Sequence, residues 1–462
     1  MNQVETPQER RAKFDAAFNS ILNTNKTNRP NWIAGLQIVS STDYVVTSPI
    51  DHSIQFGRYQ RSEVDLPQVA MPKLIDAFEE WSSIPIKDRL EYLRNAITEL
   101  ERQRYRIAAA VSISAGMTAT EAMFEVERLL RVLRSLEREC EVPLFGSPTG
   151  VWAVFSSYNS PLAGPMAYAL AAAMAGNVVF LLPAHECPFP CYMVYDLLAK
   201  SGFSKALSLA TDPVGDMRRS LMNHPDLAGI VVCGSGETVD DAMFVHVDED
   251  LGFILEAKGM NPALISRYAD MSAAASMVCK SAFSYTGQRL DACSKVVVLE
   301  PYYEEFLNCL LKAVVKFRVG DPAERDVCTG PLISKERTQE FLALASDLKD
   351  NIVYGGERLT DGYLEDGEYV SPAILVGLDD NHEFNVIDHS LPFLSVQVAT
   401  DLQDAIEKIN MSETGLSGGI FTDDPAEKEL FMREVKADVI YLNSSSNNIA
   451  PGLKAAVSAF LV

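Results

Sequence analysis

From about residue 69 to residue 140, apolar positions recur every third or fourth residue, a spacing that predicts helix. In K-L-I-D-A-F-E-E-W-S-S-I-P, Lys73 to Pro85, the apolar residues share one helical face, and Pro85 with Asp88 then opens a longer helix through Arg102. Beyond residue 150 the pattern changes. Short runs rich in β-branched and aromatic residues stand at Val151 to Phe155, Val178 to Leu182, Ala206 to Ala210 and Ile230 to Cys233, separated by helical patterns. Strands alternating with helices imply a parallel sheet covered on both faces.

A second α/β stretch follows Glu256. Its strands are expected at Val296 to Leu299 and Phe393 to Val398, and its helices at Tyr303 to Val315 and Leu402 to Ile409. Runs at Gly418 to Thr422 and Asp438 to Leu442 close the regular pattern. Pro161 to Pro183 carries no charged residue, but Gly164-Pro165 and Gly176-Asn177 punctuate it, so it reads as a buried helix followed by a strand and not as a membrane span.

The 462 residues are too many for one small core, so two or three domains are expected. With Lys+Arg 40 against Asp+Glu 63, the net charge of -23 opposes binding to nucleic acid or to an anionic membrane surface. Eight cysteines, none in C-x-x-C spacing, suit scattered core thiols in a reducing compartment, and the polar, charged N-terminus gives no secretory signal, so a cytoplasmic protein is expected. The six histidines show no ligand spacing and no metal is expected.

The candidate chemistry lies in ordered motifs. A-F-S-Y-T-G-Q-R-L runs from Ala282 to Leu290, and I-L-E-A-K-G-M-N-P-A-L-I runs from Ile254 to Ile265. With V-F-S-S-Y-N-S-P-L (Val154 to Leu162), G-N-V-V-F-L-L-P (Gly176 to Pro183), V-C-G-S (Val232 to Ser235) and G-L-S-G-G-I-F-T (Gly415 to Thr422), they resemble the aldehyde dehydrogenase superfamily from about Val45 to Asn443. A-F-S-Y-T-G-Q followed by A-C-S-K leans toward its 1-pyrroline-5-carboxylate dehydrogenases. The resemblance implies an α/β fold with two Rossmann-type parallel-sheet domains. Residues 1–140 and 150–256 would bind the dinucleotide, 257–445 would form the catalytic domain, and 141–149 with 446–462 would form a reduced oligomerisation element.

The resemblance also assigns roles. A thiolate attacks an aldehyde, an Asn amide and a backbone N–H hold the oxyanion, a hydride leaves for nicotinamide, and a Glu-activated water hydrolyses the thioester. Asn159 and Glu256 stand at the amide and carboxylate positions, but the family's E-L-G-G-K-N-P reads Glu256-Ala-Lys-Gly-Met-Asn-Pro here, and Leu290 stands where the cysteine belongs. Loss of a nucleophile costs on the order of 10⁶ in rate in a well-mapped protease.

Cys293, three residues on, is either a rescue nucleophile or a buried core thiol. Glu256 and Asn159 have plain readings too, as an end-of-strand carboxylate and a turn. The cofactor positions Tyr158, Gly234, Ser235 and Asp388 imply, by the resemblance, NAD or NADP, with binding weakened because Leu182 replaces a Lys that binds the adenosine ribose, Asp388 replaces a longer Glu that holds the nicotinamide ribose, and Ser390 replaces a Phe. Gly234-Ser235 alone equally suits an ordinary strand-to-helix turn.

Only nine residues, Glu141 to Thr149, separate the helix near Cys140 from Gly150, whereas a hairpin needs roughly twelve. The family's usual assembly is therefore expected to be altered. Two functions compete: a binding or regulatory homologue of a small aldehyde or semialdehyde dehydrogenase, or an active NAD(P)-dependent semialdehyde dehydrogenase using Cys293. A purely structural, partner-binding protein is a third reading, and it predicts no nucleotide affinity.

Overall fold

The computed structural model describes residues 5–24, 27–243, 251–411, 416–446 and 455–462. Gly415 of the G-L-S-G-G motif and residues 447–454 lie outside them.

Two seven-stranded sheets organise the chain. In the first, five parallel strands lie in the order Gly252–Ala257, Leu227–Gly234, Val151–Ser156, Val178–Leu182 and Leu207–Leu209. The antiparallel strands Asn31–Ile33 and Leu36–Ile38 extend its far edge. Strand order therefore reverses between Val151–Ser156 and Leu227–Gly234, and the crevice outside the carboxyl ends of two such strands is the usual ligand position in an open α/β sheet.

The second sheet runs Ile352–Tyr354, Ala373–Val376, Phe393–Ala399, Lys295–Leu299, Ala263–Ile265, Ser417–Phe421 and Val439–Leu442, parallel except at its first edge. Central strands such as Val178–Leu182 and Lys295–Leu299 are buried at every residue, because helices cover both faces. The expected strands and helices fall within a few residues of these bounds. Pro161 to Pro183 forms the buried helix Ala163–Ala175 and the strand Val178–Leu182, and no helix among the described residues is long and apolar enough to cross a membrane.

Two features differ from expectation. The helix expected to end at Arg102 continues as Ile86–Ala115, since neither Gly nor Pro interrupts the chain before Gly116, which closes it with φ 75°. A small sheet of Asn28–Arg29, Gln55–Gln60 and Asp43–Thr47 has strands too short and polar to show in the pattern.

The C-terminal segment folds back onto its own chain. Ser147 and Val462 exchange backbone hydrogen bonds at 2.9 and 3.1 Å, beside an antiparallel bridge between Pro148 and Leu461. Glu139 accepts from the N–H groups of Val457 and Ser458 at 3.0 and 2.8 Å. The Phe460 ring meets Trp152 edge-on at 4.6 Å. Phe460→Ala therefore removes a fully buried ring and is expected to destabilise the fold by about 3 kcal/mol, read from the urea midpoint; an unchanged midpoint would mean this segment is not docked.

Candidate functional site

Leu290 is buried in the wall of a cavity of about 470 Å³. Met117, Phe124, Tyr285, Phe317 and Val327 give this cavity an apolar lining, with Lys280 and Arg289 among its polar residues. The loop that delivers Leu290 is bent by three successive left-handed residues, Tyr285, Thr286 and Gly287, at φ 50°, 54° and 69°. Strain of this kind persists only where the surroundings over-determine it. Here Tyr285 N–H donates to Glu121 Oε1 at 2.6 Å, its hydroxyl donates to the Tyr158 carbonyl at 3.1 Å, and Thr286 Oγ1 donates to the Gly330 carbonyl at 2.7 Å. Glu121 also closes the capping box with Thr118 that starts the helix Ala119–Cys140, so one side chain fixes both the helix and the loop.

Cys293 does not reach this cavity. It is buried in the core of the second sheet, its Sγ donates to the Lys295 carbonyl at 3.2 Å, and burial pushes the thiol up to about 12. Of the two readings of Cys293, this packing favours the core thiol. A different sulfur, the half-buried Cys328, lines the cavity with Leu290. Nothing in its spacing marks it, because the loop that carries it meets the site only through the tertiary fold.

Glu256 ends its strand as expected, but it is buried and both oxygens are engaged. Oε2 accepts from the Tyr168 hydroxyl at 2.7 Å and Oε1 from Arg128 Nη2 at 3.3 Å. Burial pushes its carboxyl above the usual range, with the Arg128 guanidinium opposing. This carboxylate joins helix to strand and does not line the cavity.

Asn159 does line it. Its Oδ1 accepts from Ser157 and Ser235 hydroxyls at 2.8 and 2.6 Å, and its Nδ2 donates to the Gln288 carbonyl at 2.6 Å. One N–H of the proposed oxyanion donor is therefore already bound to the loop before Leu290.

A second cleft, of about 510 Å³, opens at the reversal of strand order and includes Tyr158, Leu182 and Ser235 in its lining. Gly234 must be glycine: at φ 147°, an added Cβ would lie 2.0 Å from Ser157 Oγ. Asp388, however, faces inward. Ser235 Oγ lies 3.1 Å from Ser390 Oγ, and the Asp388 carboxylate pairs with Lys258 Nζ at 2.9 Å while accepting from the Ser294 hydroxyl and from Ser390 N–H at 3.1 Å.

The cleft's wall carries Glu186, Asp212, Asp240, Glu336 and Glu340 against Arg218 and Arg337. Arg218 is bound to Asp241 at 2.7 Å and Arg337 to Glu340 at 2.5 Å. The cations of this wall are paired with carboxylates, and the Asp388 carboxylate already holds an ammonium. Among the described residues no group of three or more His, Cys, Asp or Glu is placed to hold a metal ion.

Residues 38–455 match the family model described as the aldehyde dehydrogenase family. The chain belongs to that family. It is 27% identical to an alpha-ketoglutaric semialdehyde dehydrogenase of Bacillus subtilis over 91% of this chain and 90% of that protein. It is 24% identical to a 1-pyrroline-5-carboxylate dehydrogenase of Geobacillus over 95% and 89%. The solved structure of 1-pyrroline-5-carboxylate dehydrogenase from Thermus with bound NAD superposes with a TM-score of 0.89 at 22% identity, covering 100% of this chain and 96% of that one. The α/β fold of the family, with its parallel-sheet Rossmann-like domains, is thus the fold of this chain.

Two outcomes follow from the geometry of this aldehyde dehydrogenase site. Alkylation of the native protein with iodoacetamide, mapped by mass spectrometry, is expected at the half-buried Cys309 and Cys328, and modification of Cys293 before unfolding would put its sulfur elsewhere. Arg128→Ala strands the buried Glu256 charge and is expected to destabilise the fold by about 3 to 5 kcal/mol, whereas a loss below about 0.5 kcal/mol in urea unfolding, typical of an exposed pair, would mean Glu256 is free.

Proposed function

We propose that this aldehyde dehydrogenase family protein does not oxidise aldehydes through a thioester and instead binds a small semialdehyde-like acid as a binding or regulatory homologue. The observation that carries the reading is Leu290: a hydrocarbon forms the cavity wall where a thiolate would attack, and the neighbouring Cys293 is turned into the core. The engagement of Glu256 by Arg128 and Tyr168 supports it, because the carboxylate that would activate a water is tied to the fold.

The ligand class is argued from the cavity. Its apolar lining suits a short carbon chain, and Lys280, for which no ion-pair partner occurs among the described residues, offers a cation to a carboxylate. Relatives named for α-ketoglutaric semialdehyde and 1-pyrroline-5-carboxylate point to the same size and charge. A family with an NAD-bound structural neighbour supports NAD or NADP as the cofactor of the fold, and in this chain we expect the dinucleotide to bind weakly, mainly through its adenine end. Eight free thiols fit a reducing, cytoplasmic setting. The short 141–149 segment, engaged by the chain's own C-terminal residues, favours an assembly altered from the family's.

With NAD and either semialdehyde, no reduced cofactor is expected, and Leu290→Cys alone is expected to recover little turnover because Glu256 and Asp388 remain engaged. Robust reduction by the native chain, or a substrate-derived acyl group trapped by mass spectrometry on Cys328 or any other thiol, would overturn the reading. Calorimetric titration with 1-pyrroline-5-carboxylate is expected to show binding that weakens about two- to fivefold in Lys280→Ala, in the range of one exposed charge contact. No heat in the native protein would remove the ligand class.

A further inference from the structure

Five side chains, with the backbone carbonyls of Gly287 and Gln288, close a ring of polar contacts at the reversal point of the first sheet. Lys258 follows the strand Gly252–Ala257, and its N–H donates to the Gly234 carbonyl at 3.2 Å. Its Nζ crosses to the second domain, where it reaches the Asp388 carboxylate at 2.9 Å and the Gly287 carbonyl at 2.7 Å. Asp388 accepts from Ser390 N–H, the Ser390 and Ser235 hydroxyls meet at 3.1 Å, and Ser235 donates to Asn159 at 2.6 Å. Asn159 then returns to the Gln288 carbonyl, next to Gly287, at 2.6 Å.

Ser235 borders the nucleotide-side cleft and Asn159 borders the cavity of Leu290, so the ring stands on the wall between the two spaces. Lys258 is its only cation. The side chains of Lys258 and Asp388 are 2% and 4% exposed, and a water-filled passage would leave this pair far more open.

We propose that Lys258 is a resident occupant of the nicotinamide end of the cleft, its ammonium standing beside Asp388 where a bound dinucleotide would place its cationic half. The cleft consequently gains nothing from the nicotinamide of a dinucleotide. This deepens the reading under Proposed function and rests on it for the identity of the cleft. It also makes the two spaces independent, since nothing bound on one side contacts anything bound on the other.

The test compares NAD with ADP-ribose, which lacks nicotinamide, by calorimetry on the whole protein. The native chain is expected to bind the two within about threefold of each other or to bind neither measurably. Lys258→Gly is expected to tighten NAD at least tenfold and to leave ADP-ribose unchanged. Because that variant strands a buried carboxylate, Lys258→Gly with Asp388→Asn is the second, and it too is expected to favour NAD over ADP-ribose, by at least threefold. A native preference for NAD of tenfold or more, or no gain in either variant, overturns the inference. Reduction of NAD by a semialdehyde would instead strike the functional reading, which this comparison of affinities does not use.

Discussion

The buried pair of Lys258 and Asp388 is the constraint around which the site is arranged. At 2.9 Å and almost without solvent, each charge depends on the other, and the remaining donors and acceptors around them are supplied by Gly287, Ser294 and Ser390. Such a pair contributes little net stability against an apolar alternative, but either partner alone would be strongly destabilising. Its physical effect is therefore to fix geometry. It locks the residues after one sheet's edge strand to the loop before the central strand Phe393–Ala399 of the other, and with them the loop that carries Leu290.

Within that fixed frame, Leu290 suits its place. Leucine fills an apolar wall among Met117, Phe317 and Val327, where its burial is favourable and leaves no polar atom unpaired. The Leu290 carbonyl still accepts from Asn261 Nδ2 at 2.9 Å, so the backbone around it is held independently of the side chain. Chemistry and fold are thus separable at this position.

The sheets were legible because strands buried on both faces must read as continuous apolar runs, and Val178–Leu182 and Val296 to Leu299 do. The positions of Leu290, Glu256 and Asn159 followed from motif order. Their partners did not. Arg128 lies on a helix far from Glu256 in the chain, and a lysine two residues beyond a strand-end carboxylate reads as a solvated end, so neither Arg128 nor Lys258 could be paired from spacing alone. Cys328 escaped notice for the same reason. Its own loop is distant in sequence from Leu290, and only the tertiary fold brings the two to one cavity.

Glu256 and Asn159 each hold parts of the fold together. Glu256 accepts from Tyr168 and Arg128, which sit on the helices Ala163–Ala175 and Ala119–Cys140, and so ties two helices to the edge strand of the first sheet. Asn159 joins the turn after Val151–Ser156 to Ser235 and to Gln288, spanning the first sheet and the loop of the second domain. Each group has hydrogen-bonding duties that a hydrophobic replacement would leave unmet in a buried setting. The same polar atoms that suit a family's chemistry are also what closes this chain's domain junction, so their presence is as well accounted for by the fold as by a reaction.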